Sequence, residues 1–154
     1  MEFPWADKKI IEHCKLLADS YYLWTKKELV ARGIDERSSA FLMYHASYVV
    51  VSHGTESDPI FNYANVKAQH LWELGWSEFV QLPSRLSAEP IEAAERQKHL
   101  EQAEKNGFIS NFNGVRISST GEKFKIEDTI LWNVVDERGN YYGQAAMFSK
   151  WDKL

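Results

Sequence analysis

Cysteine is almost missing from this chain: Cys14 is the single one in 154 residues. A lone thiol can close no internal disulfide and cannot build a cysteine-rich zinc site. Long apolar runs are missing too. None approaches the roughly 20 residues that a membrane helix needs, and the opening "MEFPWADKK" lacks the apolar centre of a secretion signal. These absences lead to the expectation of a cytoplasmic protein without a membrane span. Charge of one sign is also scarce. The net charge is −4 and no basic stretch stands out, so direct contact with nucleic acid or anionic lipid is not expected. There is no HxxxH or CxxC spacing, no nucleophile elbow and no phosphate loop. An enzyme is therefore not expected, and neither is a bound metal.

What the chain does have is apolar and aromatic bulk. Hydrophobic residues make up 44% of it, with six Trp, seven Tyr and eight Phe. Such a composition buries a real core and excludes intrinsic disorder. No repeat, low-complexity stretch or linker divides it, so one compact domain is expected.

Ile10, Cys14, Leu17, Tyr21 and Trp24 recur at helical spacing and predict an amphipathic helix over 7–30. Asp7 is its expected N-cap and Arg32-Gly33 its expected stop. A second helical piece is predicted over 37–46. "SYVVV" (47–51) then reads as a buried strand, "HGTESDP" (53–59) as turn chemistry, and "IFNY" (60–63) as the returning strand of a hairpin. Asn65 is placed to cap a helix over 66–75, and "WSEFVQL" forms another that ends at Pro83.

Residues 83–107 begin as a polar loop and become a solvated helix. Glu89 and Glu92 lie near its start, where they suit the helix dipole. Glu92–Arg96 and Glu101–Lys105 are i,i+4 pairs, and Ala93, Gln97, Leu100 and Ala103 form a narrow inward stripe. Asn106-Gly107 ends it. The last third alternates at period two through "GVRISSTGEKFKIEDTILWNVVDERGNYYGQAAMFSKW", a meander of three antiparallel strands. Phe124, Ile126, Ile130, Trp132 and Val134 are expected to share one face of its long strand. The sum is an α+β fold with a five-stranded antiparallel sheet.

The order of elements resembles a PAS domain: a strand hairpin running into a helix through an Asn (here Asn65), and a closing meander with turns "GEKF" and "DERGN". More specifically, "SHGTESDPIFNYAN", "LPSRLSAEP", "VRISSTGEKFKI" and "GQAAMFSKW" resemble the MEKHLA domain, a PAS-like family. The resemblance runs from about residue 10 to Trp151 with its motifs in order. It implies a PAS-like sheet with helices on one face and an additional N-terminal helix, residues 1–46 being a helical extension and 47–154 the core. It also implies a sensory or regulatory module, with a homodimer expected as its assembly. It implies no particular ligand or reaction.

For a pocket between sheet and short helices, Trp72, Phe124 and Trp132 are the expected walls, with Asn65 and His70 as polar anchors. Arg85, between two serines, either holds an anionic group in a fork geometry or pins its own loop through carbonyls and Glu89. His53, Glu56 and Asp58 could form an acid–base or metal group, but turn chemistry explains them more simply, and a His45/His53 pair has no further support. Haem-binding PAS domains carry an axial His on the helix before the meander, which makes His99 the candidate here, although "RQKHLEQ" offers a macrocycle no apolar cover. A covalent flavin photocycle needs a Cys in "NVKAQHLWELGW", which has none, whereas non-covalent flavin stays open. No cofactor is therefore expected with certainty.

Two functions compete: a small-molecule sensor, and a ligand-free homodimerisation module. In the second, Ile11, Ala18, Tyr22 and Leu29 make the contact face of the N-terminal helix, with Phe3 and Trp5 just ahead of it. A small hydrolase or isomerase around His53, Glu56 and Asp58 ranks third.

Overall fold

A computed structural model of the chain describes residues 3–88 and 90–154. Helix α1 (Lys8–Thr25) begins where the Asp7 carboxylate accepts from the amides of Lys9 and Ile10. It ends at Thr25, five residues before Val30, with Lys26 in the left-handed region (φ 62°) as its cap, and not at Arg32-Gly33. The early stop lets the chain turn back, so that Leu29 and Val30 drop into the core and the Tyr48 hydroxyl donates to the Leu29 carbonyl. Helix α2 (Glu36–Tyr44) follows, capped by Asp35.

Strands β1 (Val49–His53) and β2 (Phe61–Ala64) form the expected hairpin, and Asn65 caps helix α3 (Val66–Trp72). Helix α4 (Trp76–Phe79), a 3-10 turn over Ser84–Ser87 and helix α5 (Pro90–Asn106) lead to Gly107 at φ +95°. A side chain at Gly107 would stand 2.6 Å from the Trp24 ring, so backbone conformation and space both require glycine there. Along α5, Ala103 is buried and Gln97 is exposed. Glu89 lies outside the described residues, and so do the side chains of Glu92, Arg96, Ala93 and Leu100, which carry the expected pair and part of the stripe.

The meander is β3 (Phe108–Ile117), β4 (Lys123–Val135) and β5 (Tyr141–Phe148), and a further short strand, β6 (Lys150–Lys153), extends it. The sheet order is β2-β1-β5-β4-β3, antiparallel throughout, with β6 pairing the first half of β4. The single parity expected for β4 does not hold. Asp128 adopts φ 50° and shifts the alternation by one residue. Phe124 and Ile126 before it, and Leu131 after it, pack on one face, while Ile130, Trp132 and Val134 pack on the other. Opposite this bulge the partner strand breaks at Ser149, and Lys150 Nζ reaches Asp128 Oδ2 at 3.0 Å.

Two apolar layers result. The inner one joins Val49, Val51, Phe61, Trp72, Phe79, Phe124, Ile126, Leu131 and Phe148, under α3 and α4. The outer one joins Val50, Trp132, Val134 and Ala145 to Cys14, Leu17 and Tyr21 of α1. The additional N-terminal helix thus covers the second face of the sheet, with Tyr21 edge-on to Trp132 at 4.9 Å.

Candidate functional site

Strand pairing sets the site. β1 and β5 pair in register, so His53 stands opposite Gln144, and both turn to the inner face. Gly143 makes the approach of the two strands possible: at φ +122°, a Cβ there would lie 1.9 Å from the His53 carbonyl oxygen. Beside this pair a cavity of about 40 Å³ opens between sheet and helices, with a floor of Val51, Ile126, Leu131 and Phe148. Its polar lining includes His53, Gln144, Arg116 and Ser87.

Trp72 closes one wall. Its ring meets Phe124 at 5.1 Å and Phe79 at 5.7 Å, both edge-on, and its Nε1–H donates to the Ser87 carbonyl at 3.3 Å. The polar lining is wired into the fold. His53 Nδ1 bonds the Gly54 carbonyl at 3.0 Å, Gln144 Nε2 donates to Asn133 Oδ1 at 3.1 Å, and Asn133 Nδ2 donates to the Ala103 carbonyl of α5 at 2.9 Å. Arg116 is 5% exposed; it donates to the Val115 carbonyl and lies over the Phe112 ring.

The expected site residues are not brought together. Trp72 lines the cavity and Phe124 backs it. Trp132 lies on the opposite face of the sheet, with its Nε1–H donating to Ser20 Oγ at 3.1 Å. Asn65 is fully buried and fully engaged: its Oδ1 accepts from the amides of Val50 and Ala68, and its Nδ2 donates to the carbonyls of Met43 and Tyr48. It pins α2, β1 and α3 at one point. His70 is exposed, beside a separate surface groove with Glu73, Lys123 and Lys153. Arg85 is exposed and bonds Asp58 through Nε, which stands 3.1 Å from each carboxylate oxygen, so it ties the 3-10 turn to the β1–β2 loop.

Gln144 and Arg116 were missed by sequence reasoning. Each is a polar residue inside an otherwise apolar or alternating strand, "YYGQAAMF" and "GVRIS", and that signal was there to be read. Glu56 is spent on its own loop, its carboxylate accepting from the Ile60 amide. Among the described residues no three His, Cys, Asp or Glu side chains gather as a metal site.

One nucleophile–base contact lies on the outer face of the sheet. His13 Nε2 stands 2.9 Å from Ser52 Oγ, under α1. The serine proton is directed to Asn62 Oδ1, and burial holds the imidazole neutral, with its pKa lowered to about 4. A base whose serine partner gives its proton elsewhere, beneath a docked helix, is a packing contact. Next to it Cys14 is 1% exposed, and burial pushes its thiol up to about 12.

The architecture is that of a PAS domain. The PAS domain of a protein from Colwellia psychrerythraea superposes with a TM-score of 0.64 at 13% identity, covering 77% of this chain and 95% of that one. A light-oxygen-voltage domain studied with a flavin analogue gives 0.57 at 17% identity, over 76% of this chain and 84% of its own. The light-state dimer of the fungal blue-light photoreceptor Vivid gives 0.59 at 13% identity, over 92% of this chain and 94% of its own. No curated protein matches the sequence. The MEKHLA domain model matches residues 11–153, and the chain belongs to that family.

At this identity the neighbours carry the fold and not their ligands. A cavity of about 40 Å³ is several-fold below the roughly 300 Å³ at which drug-sized ligand pockets begin. The cavity as it stands in this structure is smaller than an isoalloxazine or a porphyrin. His99, the candidate haem ligand, instead packs edge-on to Phe112 at 4.8 Å. No helix among the described residues is long and apolar enough to cross a membrane.

Proposed function

We propose that the chain is a PAS-type sensory or regulatory module whose sensing site is the inner-face cavity at Trp72, His53, Gln144 and Arg116, and that its ligand is a compact molecule of a few heavy atoms. What carries this reading is a polar cluster lining a small void in an otherwise closed aromatic core. A chain that needed only a filled core would close such a void with apolar side chains, since voids forfeit packing energy. On this reading the module works without a catalytic step of its own and in the cytoplasm, with Cys14 as a buried free thiol.

The test is native mass spectrometry and a visible absorption spectrum of protein purified without added cofactor, followed by a thermal screen of compact carboxylates, alcohols and amides. The expected result is no flavin or haem band, with either a small retained mass or a rise in melting temperature that Gln144→Leu abolishes. A flavin or Soret band overturns the compact-ligand reading. So does a screen without a hit in which Gln144→Leu raises the melting temperature.

A second reading is supported by the surface of residues 1–46. Phe3, Phe41 and Leu42 are 57%, 42% and 46% exposed, and Trp5 joins Phe3 and Phe41 through ring contacts at 6.1 and 4.9 Å. This aromatic set suits a homodimer contact, and Vivid, a neighbour covering 92% of this chain, forms a light-state dimer. Leu29 belongs to the core and not to the contact face. Sedimentation of the wild type beside Phe41→Glu is the test: a dimer that becomes a monomer supports the contact, and a wild type already monomeric at micromolar concentration removes it. Deleting 1–30 would uncover Trp132 and Val50, so it would not separate association from folding.

A further inference from the structure

The cavity wall is fastened from outside. α3 ends at Glu73 in the left-handed region (φ 58°), one residue past Trp72. There it meets the β3–β4 turn, "SSTGE". The Trp72 carbonyl accepts from the Ser119 amide at 2.9 Å, and the Glu73 carbonyl accepts from the Ser119 hydroxyl at 2.7 Å. The Glu73 carboxylate accepts from Ser118 Oγ at 2.7 Å and from the Thr120 hydroxyl, and these bonds hold its pKa below the usual range. The other end of α3 is fixed by Asn65. Trp72 also donates to Ser87 of the 3-10 turn. The indole therefore cannot swing away from the cavity while the last turn of α3 stays bound to the hairpin.

We propose that Glu73 and the Ser118–Thr120 turn form a latch that sets how far Trp72 closes over the cavity. Its exposed half, Glu73 with Thr120, is then the place from which surface events control access to the site, or through which occupancy is reported outward. Ser118 is buried and accepts from the amides of Thr120 and Glu122, so it holds the turn itself together. Glu73 and Thr120 are exposed and can be changed without removing core contacts. This regulation rests on the cavity being the sensing site, but the latch can be tested separately.

The experiment is residue-resolved amide hydrogen exchange on the full chain, comparing wild type with Glu73→Gln, Thr120→Val and the conservative Thr120→Ser. In Glu73→Gln and Thr120→Val, exchange at Leu71, Trp72 and Ser119 is expected to accelerate together by about tenfold or more, with Leu17 and Tyr21 of α1 unchanged. Thr120→Ser should stay near wild type. The latch is overturned if Ser119 alone accelerates, which is a fraying turn, or if α1 and α3 accelerate equally, which is global loss of stability. If the α3 response holds while no compact compound raises the melting temperature, the cavity reading fails and the latch stands. If a compound binds and α3 exchange is the same in all four proteins, the latch fails alone.

Discussion

His13 of α1 and Ser52 of β1 meet at 2.9 Å across the interface between the N-terminal helix and the sheet. Among the described residues no carboxylate bonds this imidazole. Its surroundings are Ser52, Asn62 and the Tyr63 ring at 6.2 Å, and burial lowers its pKa from 6.5 to about 4. A base with a depressed folded pKa binds more protons when unfolded. The stability it supports is therefore complete above pH 6.5 and is lost as pH falls toward about 4. The full loss is on the order of 3 kcal/mol. Urea unfolding between those pH values should show a slope that His13→Gln flattens; an unchanged slope would place the linkage elsewhere.

Asn65→Ala removes a donor pair and an acceptor pair at once. The Val50 and Ala68 amides and the Met43 and Tyr48 carbonyls all lose their side-chain partner inside the core. The expected cost is about 3 kcal/mol or more, above that of an ordinary cap deletion. Denaturant midpoints at constant m-value measure it. A loss below about 1 kcal/mol would mean that water replaces the amide.

Cys14 should be silent toward thiol reagents in the folded protein. It is buried, and its thiol is held up to about 12, so almost no thiolate is present at neutral pH. Its labelling rate should track unfolding across a denaturant series. Fast labelling in native buffer would show that α1 lifts off the sheet by itself.

Arg85→Ala separates two roles. The Arg85–Asp58 pair has side chains 59% and 51% exposed, and such pairs contribute within about 1 kcal/mol. A small change in melting temperature is expected, together with unaltered uptake of any compact ligand found in the screen. Loss of ligand without loss of stability would give the arginine the anion-holding role instead.

Local chemistry was readable wherever one residue decides the outcome. Asp7, Asn65 and Gly107 mark boundaries because a side-chain acceptor or a left-handed turn is needed there. The failures come where non-glycine residues take left-handed conformations. Lys26 ends α1 early, which its residue type does not announce, and Asp128 flips the parity of β4, where an Asp tolerates the left-handed region without requiring it. The flip sent Trp132 to the face opposite Phe124, so a pocket assembled from one parity could not be right. Trp72 was legible because it follows the cap by helical spacing. His53, Gln144 and Arg116 are joined only by the register of strands far apart in the sequence. That register depends on a glycine approach at Gly143 which periodicity does not reveal.

The position of α1 over Trp132, Val134 and Val50 also bears on assembly. A sheet face of this kind is ordinarily open to any amphipathic helix that reaches it. Here the chain supplies its own occupant, tethered through residues 26–48 and so present at a high effective concentration. An outside helix must outcompete that built-in rival before it touches the sheet, so the outer face is a guarded surface.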